Sequence, residues 1–350
     1  MKIETQLPLA QIFFKHWSTT GREVGVVVAV ARFRRHVDGC FYVDPKVPEL
    51  RFEDSFVADP ACSALLAEQD IAPGKAATDL IVLGTARSPG GKDMTDWPVS
   101  FAISERLFHS FHVRGPVLWE RTDTGRPWQQ TAPARVSKVA LDFSLSFGGT
   151  LRDDQGQPTD FHPENPAGLG FVNKDWLDRR DTPFRASQIG FLPEWMAGDP
   201  LSPQSIVGSG PVAKTWLPRR ALAGTFDEAW LRGRHPRMPR DHNHAFWNTA
   251  PRPLQIAPFL KGDEVIVLQG ICPDGPVQVD LPGTTLVIEA RGDETQDMFM
   301  ALDTVEIDLH SDDRASDVLR LVWRAEIETP ERFFHGRLLP ASTELLQDKP

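Results

Sequence analysis

Asp241-His242-Asn243-His244 is the polar cluster in this 350-residue chain with the residue types of a reactive centre. Two imidazoles beside a carboxylate could hold a divalent cation, and a His-Asn-His run also occurs in one class of metal-dependent nuclease. Such chemistry needs further ligands at set spacing, and no downstream histidine is placed to complete them. Pro239-Arg240 on one side and Phe246-Trp247-Asn248 on the other favour a turn packed by aromatic rings. His242 and His244 are therefore weak metal candidates, and no cofactor is expected.

Other reactive combinations fall short. Gly208-Ser209-Gly210 runs straight into Pro211 and lacks the strand-to-helix setting of a nucleophile elbow. No glycine-rich loop ends in Lys-Ser or Lys-Thr, so a phosphate cradle is not expected. Asp227 and Glu228 could work as an acid and base, but helix capping explains them more simply. His162 and His235 each precede a proline and read as loop residues. Cys40, Cys62 and Cys272 have neither metal spacing nor an adjacent histidine; an odd number suits free thiols in a reducing compartment. Trp128, Trp176, Trp195, Trp216, Trp230 and Trp247 crowd the middle of the chain. They could stack on sugars or anchor a protein partner, or form the core of a loop-rich region.

Charge narrows the partners. The formal net charge is −10, and a non-specific nucleic-acid binder needs the opposite sign to release counterions. Neither a signal peptide nor an 18-residue apolar run is visible, so the expectation is a cytoplasmic protein with no membrane partner.

These residues need elements to position them, and the signals are mostly strands. Val24–Phe33 is apolar and β-branched, as a buried strand would be. Thr78–Ala86 is similar and ends at the turn Pro89-Gly90-Gly91. Apolar residues alternate over Val139–Phe147, at Val305, Ile307 and Leu309, and from Leu319 to Ile327, where Arg320, Arg324 and Glu326 take the opposite face. Leu107, Phe111 and Val113 suggest a further strand, and Val265–Gly270, Val277–Leu281 and Leu286–Ala290 a run of short ones. Helices are expected over Asp59–Gln69, over Thr225–Arg234 with Thr225 as N-cap and Glu228 completing a capping box, and as a turn at Ser342–Gln347.

The fold class is accordingly mainly β: antiparallel, sandwich-like sheets, few short helices and a long irregular middle rich in Pro, Gly and Trp. The parts are an N-terminal β-rich stretch (1–150), the irregular segment (151–260), C-terminal strands (261–335) and a tail (336–350). The two strand regions are expected to pack together as one domain over about 20–330.

Residues 208–255 are too aromatic for a solvated linker and too rich in Pro and Gly for a long helix or strand. At this point the chain resembles the domain-of-unknown-function family numbered 2169, found in bacterial type VI secretion loci. The resemblance rests on motifs in one order: TDLIVLGTARSP at 78–89, FHVRGPVLW at 111–119, LDFSLSFGG at 141–149, NPAGLGF at 165–171, then Trp-x-Pro-Arg, Ala-Gly-Thr-aromatic-Asp-x-x-Trp and Asn-x-Ala-Pro within 210–251, and finally the Leu-Asp-Thr-Val and Val-Trp-Arg strands of 302–324. It marks Gly148, Gly149, Asn165, Pro166, Gly168 and Gly170 as structural signature positions, with Trp216, Arg219, Gly224, Thr225, Asp227, Trp230, Asn248 and Pro251 in the middle segment.

The resemblance implies a non-enzymatic adaptor or chaperone that binds a cognate type VI effector and helps load it onto the PAAR/VgrG spike. Other readings are a metal-dependent nuclease, a carbohydrate-active enzyme, and a structural or immunity-like binder of the same locus. Partner contacts are expected where the chain departs from the family pattern, near Arg232–His244 and the turn Phe191–Asp199. The candidates are Trp195, Arg232, Arg234, His242 and His244.

Overall fold

The computed structural model describes residues 1–18, 20–121, 125–293, 295–309, 316–328 and 330–340. Its centre is the valine-rich strand Glu23–Arg35, which lies between strands Ala10–Trp17 and Val318–Ile327 in an eight-stranded sheet. Both faces of this strand are covered, which is why Val24 to Ala31 is an unbroken apolar run apart from Gly25. Val26, Val28 and Val30 pack on Ala10 and Val322. Val27, Ala29, Ala31 and Phe33 point the other way, into the main core.

The C-terminal strands complete the N-terminal sheet. Strand Ala301–Leu309 inserts between Val318–Ile327 and Thr78–Arg87, setting Val305 opposite both Leu321 and Leu80. Its pairing with Thr78–Arg87 is parallel, an exception in a mostly antiparallel molecule. A five-stranded sheet (Ile189–Gly190, Leu107–Arg114, Asp96–Ile103, Val265–Gln269, Val277–Asp280) adds Trp97, Phe101, Phe111 and Leu268 to the same core. A four-stranded sheet adds Ile288 and Leu338. The mainly β, sandwich-like expectation therefore describes the molecule, with the irregular segment folded over the outer face of the large sheet.

Several local expectations change. Asp59–Gln69 is not helical: Asp59 accepts from the backbone of Ala61, Cys62 and Ser63 in a tight turn, and Leu65–Ala67 then pairs with Ser55–Phe56. An Asp-Pro pair starts a turn more readily than a helix here, because the aspartate carboxylate competes for backbone N–H groups. Over Val139–Phe147 the alternation is interrupted, since Asp142 caps a 3-10 turn at Phe143–Leu145. The helix after Gly224 spans only Glu228–Gly233, and its N-cap is Asp227, whose carboxylate accepts from the Trp230 N–H at 2.8 Å. Thr225 instead donates its hydroxyl to Asp241 at 2.6 Å, while Glu228 pairs with Arg232. The Ser342–Gln347 turn lies outside the described residues. No helix among the described residues is long and apolar enough to cross a membrane.

Candidate functional site

The signature segment is held to the sheet by buried ionic and amide contacts. Asn248 accepts from the Ala76 N–H and donates to the Ala77 carbonyl and to Asp79 Oδ1, at 2.8–2.9 Å. Asp79 Oδ2 accepts from the Thr249 N–H at 2.7 Å and from Lys75 Nζ at 2.8 Å. Arg219 bridges outward from the segment, donating to Glu68 at 2.7 Å and to the Phe246 carbonyl at 3.0 Å. Beside this group, Arg51 forms a two-pronged bond to Glu306 and Arg320 another to Asp70, all at 2.7–2.8 Å. Charges that lie this deep must be paired; the outward face of strand Val318–Ile327 contributes Arg320 and also Arg324, which pairs with Asp303 at 3.0 Å.

The titrations follow from the geometry. Burial pushes Lys75 down, but Asp79, Glu68 and Asp303 outweigh it and hold its pKa above the ordinary value. Burial raises Glu306, yet the hydrogen bond and charge of Arg51 leave it below the usual carboxylate range. Asp303 goes the other way: burial prevails over Arg324 and Lys75, and its pKa rises.

The other signature residues fix the turns. Gly148 has φ +142°, and a Cβ there would collide with the Asn165 carbonyl oxygen, so only glycine fits. Asn165 donates to the carbonyls of Phe143 and Phe147, both at 2.9 Å, and Pro166 accepts from Thr150. Gly149, Gly168 and Gly170 lie in the same crossing, where 147–148 pairs with 169–170. Trp216 is 1% exposed and meets Phe143 edge-on. Gly224 has φ +87°, and a Cβ there would sit 2.9 Å from the His242 nitrogen, so this glycine lets the histidine turn close. Pro251 opens the 3-10 turn Arg252–Leu254.

The expected partner residues do not form one patch. Trp195 is buried, with the Arg114 guanidinium 4.1 Å from its ring centre and its Nε1 donating to Ser187. Burial brings Arg114 down to about 10. The surface of that turn is Leu192, Leu201 and Met196, the last 83% exposed. Trp230 is half-buried between Phe226 and His235 and donates to the Arg237 carbonyl, so it is not a core ring. Around it Phe226 and Leu231 are 53% and 60% exposed. Arg232 is exposed on the same short helix, and Arg234 folds back onto the Met238 carbonyl.

His242 and His244 face a cleft of about 420 Å³ between the irregular segment and the end of the large sheet. His242 is nine-tenths buried, and its Nδ1 donates to the Ala223 carbonyl at 3.0 Å, which leaves Nε2 as an acceptor with no partner. His244 lies against Gly74. The sheet side is formed by His16, Glu326 and Glu328, which no local sequence motif marks as a site. Their signal was present in the alternation: Glu326 shares the charged face of its strand with Arg320 and Arg324. Burial, then the neighbouring histidines, lowers the pKa of His16, and His244 is lowered by burial, His242 and Arg324. Among the described residues no group of three or more His, Cys, Asp or Glu is placed to hold a metal ion.

A family model described as an uncharacterized protein conserved in bacteria (DUF2169) matches residues 20–324. No curated protein and no solved structure matches the chain.

Proposed function

We propose a function from one premise: this chain belongs to the DUF2169 family. The reading is a non-enzymatic, cytoplasmic adaptor that binds a type VI secretion effector and assists its loading onto the PAAR/VgrG spike. The observation that carries it is the division of labour within residues 208–255. Asn248, Arg219 and Trp216 are used up inside the fold, whereas Phe226, Leu231 and Arg232 stand on the surface around a half-buried tryptophan. Exposed aromatic and aliphatic side chains beside arginine are the composition of a protein-docking surface.

Deletion of the gene tests this reading. Loss of the neighbouring toxin from the secreted fraction, with its cellular level lowered, is the expected result. An unchanged secreted level overturns the adaptor role. Protection of cells from the toxin, with export intact, identifies an immunity-like binder in its place.

A further inference from the structure

Glu326 and Glu328 are two carboxylates in the His242–His244 cleft that no other described residue neutralises. Strand register explains their position. Glu326 lies opposite Val26, which lies opposite Phe14, and the next row on that face sets Val24 opposite His16. Glu328 follows two residues on. The two glutamates and His16 therefore share the end of one sheet face, roofed by the turn that carries His242 and His244. Burial, then the charge of Glu328, raises the pKa of Glu326. Such like-charge crowding is relieved when a cation enters.

The rest of the lining fits the same kind of guest. The free Nε2 of His242 is an acceptor, because its Nδ1 is engaged as a donor. Ser18 and Thr20 add hydroxyl oxygens, and the Trp247 ring and Met238 add a soft apolar wall. Arg22 is the one fixed cation in the lining and forms no ion pair with either glutamate.

We propose that this cleft receives a guanidinium side chain of a protein partner, seated between Glu326, Glu328 and the Nε2 of His242. A planar group with five donors matches several acceptors that converge from the sheet and from the turn above it. The assignment deepens the adaptor reading and rests on it for the occupant being a protein.

The isolated full chain is titrated with capped arginine and, in parallel, with capped citrulline, which has the same shape but no charge. Imidazole ¹H–¹⁵N shifts of His16, His242 and His244 report occupancy. Capped arginine is expected to shift them in a saturable way and citrulline to leave them in place. The Glu326→Gln/Glu328→Gln double variant should bind arginine roughly tenfold more weakly, with an unchanged unfolding midpoint as proof that it folds. Binding should also weaken on acidification below about pH 6.5, as His16 and His244 take up protons. Equal shifts from citrulline, or undiminished affinity in the double variant, overturn the proposal. So does a response to Zn²⁺ in place of arginine, which would make the cleft a metal site. Failure here leaves toxin export unaffected, whereas failure of the adaptor reading leaves arginine binding intact, so the two are distinguishable.

Discussion

Lys75 sits at the junction of the two halves of the molecule. Its ammonium touches Asp79 at 2.8 Å, Thr304 at 2.9 Å and Thr249 at 3.2 Å, so it joins the strand end, the C-terminal strand and the signature segment. Lys75→Met would leave Asp79 buried and without a cation, and should cost roughly 3–5 kcal/mol in chemical denaturation. A loss below about 1 kcal/mol would mean that water already screens the group. The tryptophans separate in the same way. Trp216→Ala removes a fully buried ring and should cost about 3–5 kcal/mol. Trp230→Ala, at a half-exposed ring, should cost less than half as much, and equal losses would contradict the placement of Trp230 at the surface.

At the scale of elements, legibility followed burial. The run Val24–Phe33 was readable because both faces are apolar, and the alternation at Leu319–Ile327 because one face enters the core. The charged face of that same strand reads in sequence as a solvated surface. Arg320 and Arg324 on it are buried because Asp70, far away in the chain, and Asp303 on the neighbouring strand bring counter-charges to them, and no local pattern announces such a pairing. The cleft was half legible for the same reason: His242 and His244 stand together, while His16, Glu326 and Glu328 join them only through strand register. Short helices form differently from the sequence pattern where a carboxylate has two possible partners, as at Asp59 and Glu228. The insertion of strand Ala301–Leu309 beside Thr78–Arg87 has a direct consequence. A fragment of residues 1–260 lacks both this strand and Val318–Ile327, which covers the valine strand, and should show no cooperative unfolding transition. A sharp, reversible melt of that fragment would contradict the shared sheet.

For the molecule as a whole, the pH dependence has a definite sign. His16 and His244 have folded pKa values below the ordinary imidazole value, so the unfolded chain takes up protons first. Their contribution to stability is present above about pH 6.5 and is lost as the pH falls. Glu306, also depressed, adds a second loss at lower pH, beginning near the ordinary glutamate value of about 4.3. His16→Gln should flatten the upper part of that fall, just below about pH 6.5, in denaturation midpoints measured across the range. An unchanged slope would show that His16 does not carry it.

The proposed adaptor role rests on a protein partner docking on the exposed part of the signature segment. Co-purification of the neighbouring toxin with wild-type chain and with a Phe226→Ser/Leu231→Ser variant tests it most directly, with unfolding midpoints recorded for both. The toxin is expected to follow the wild type and to be lost from the variant, while the midpoints agree. Retention of the toxin by a folded variant, or its absence from the wild type, would contradict it.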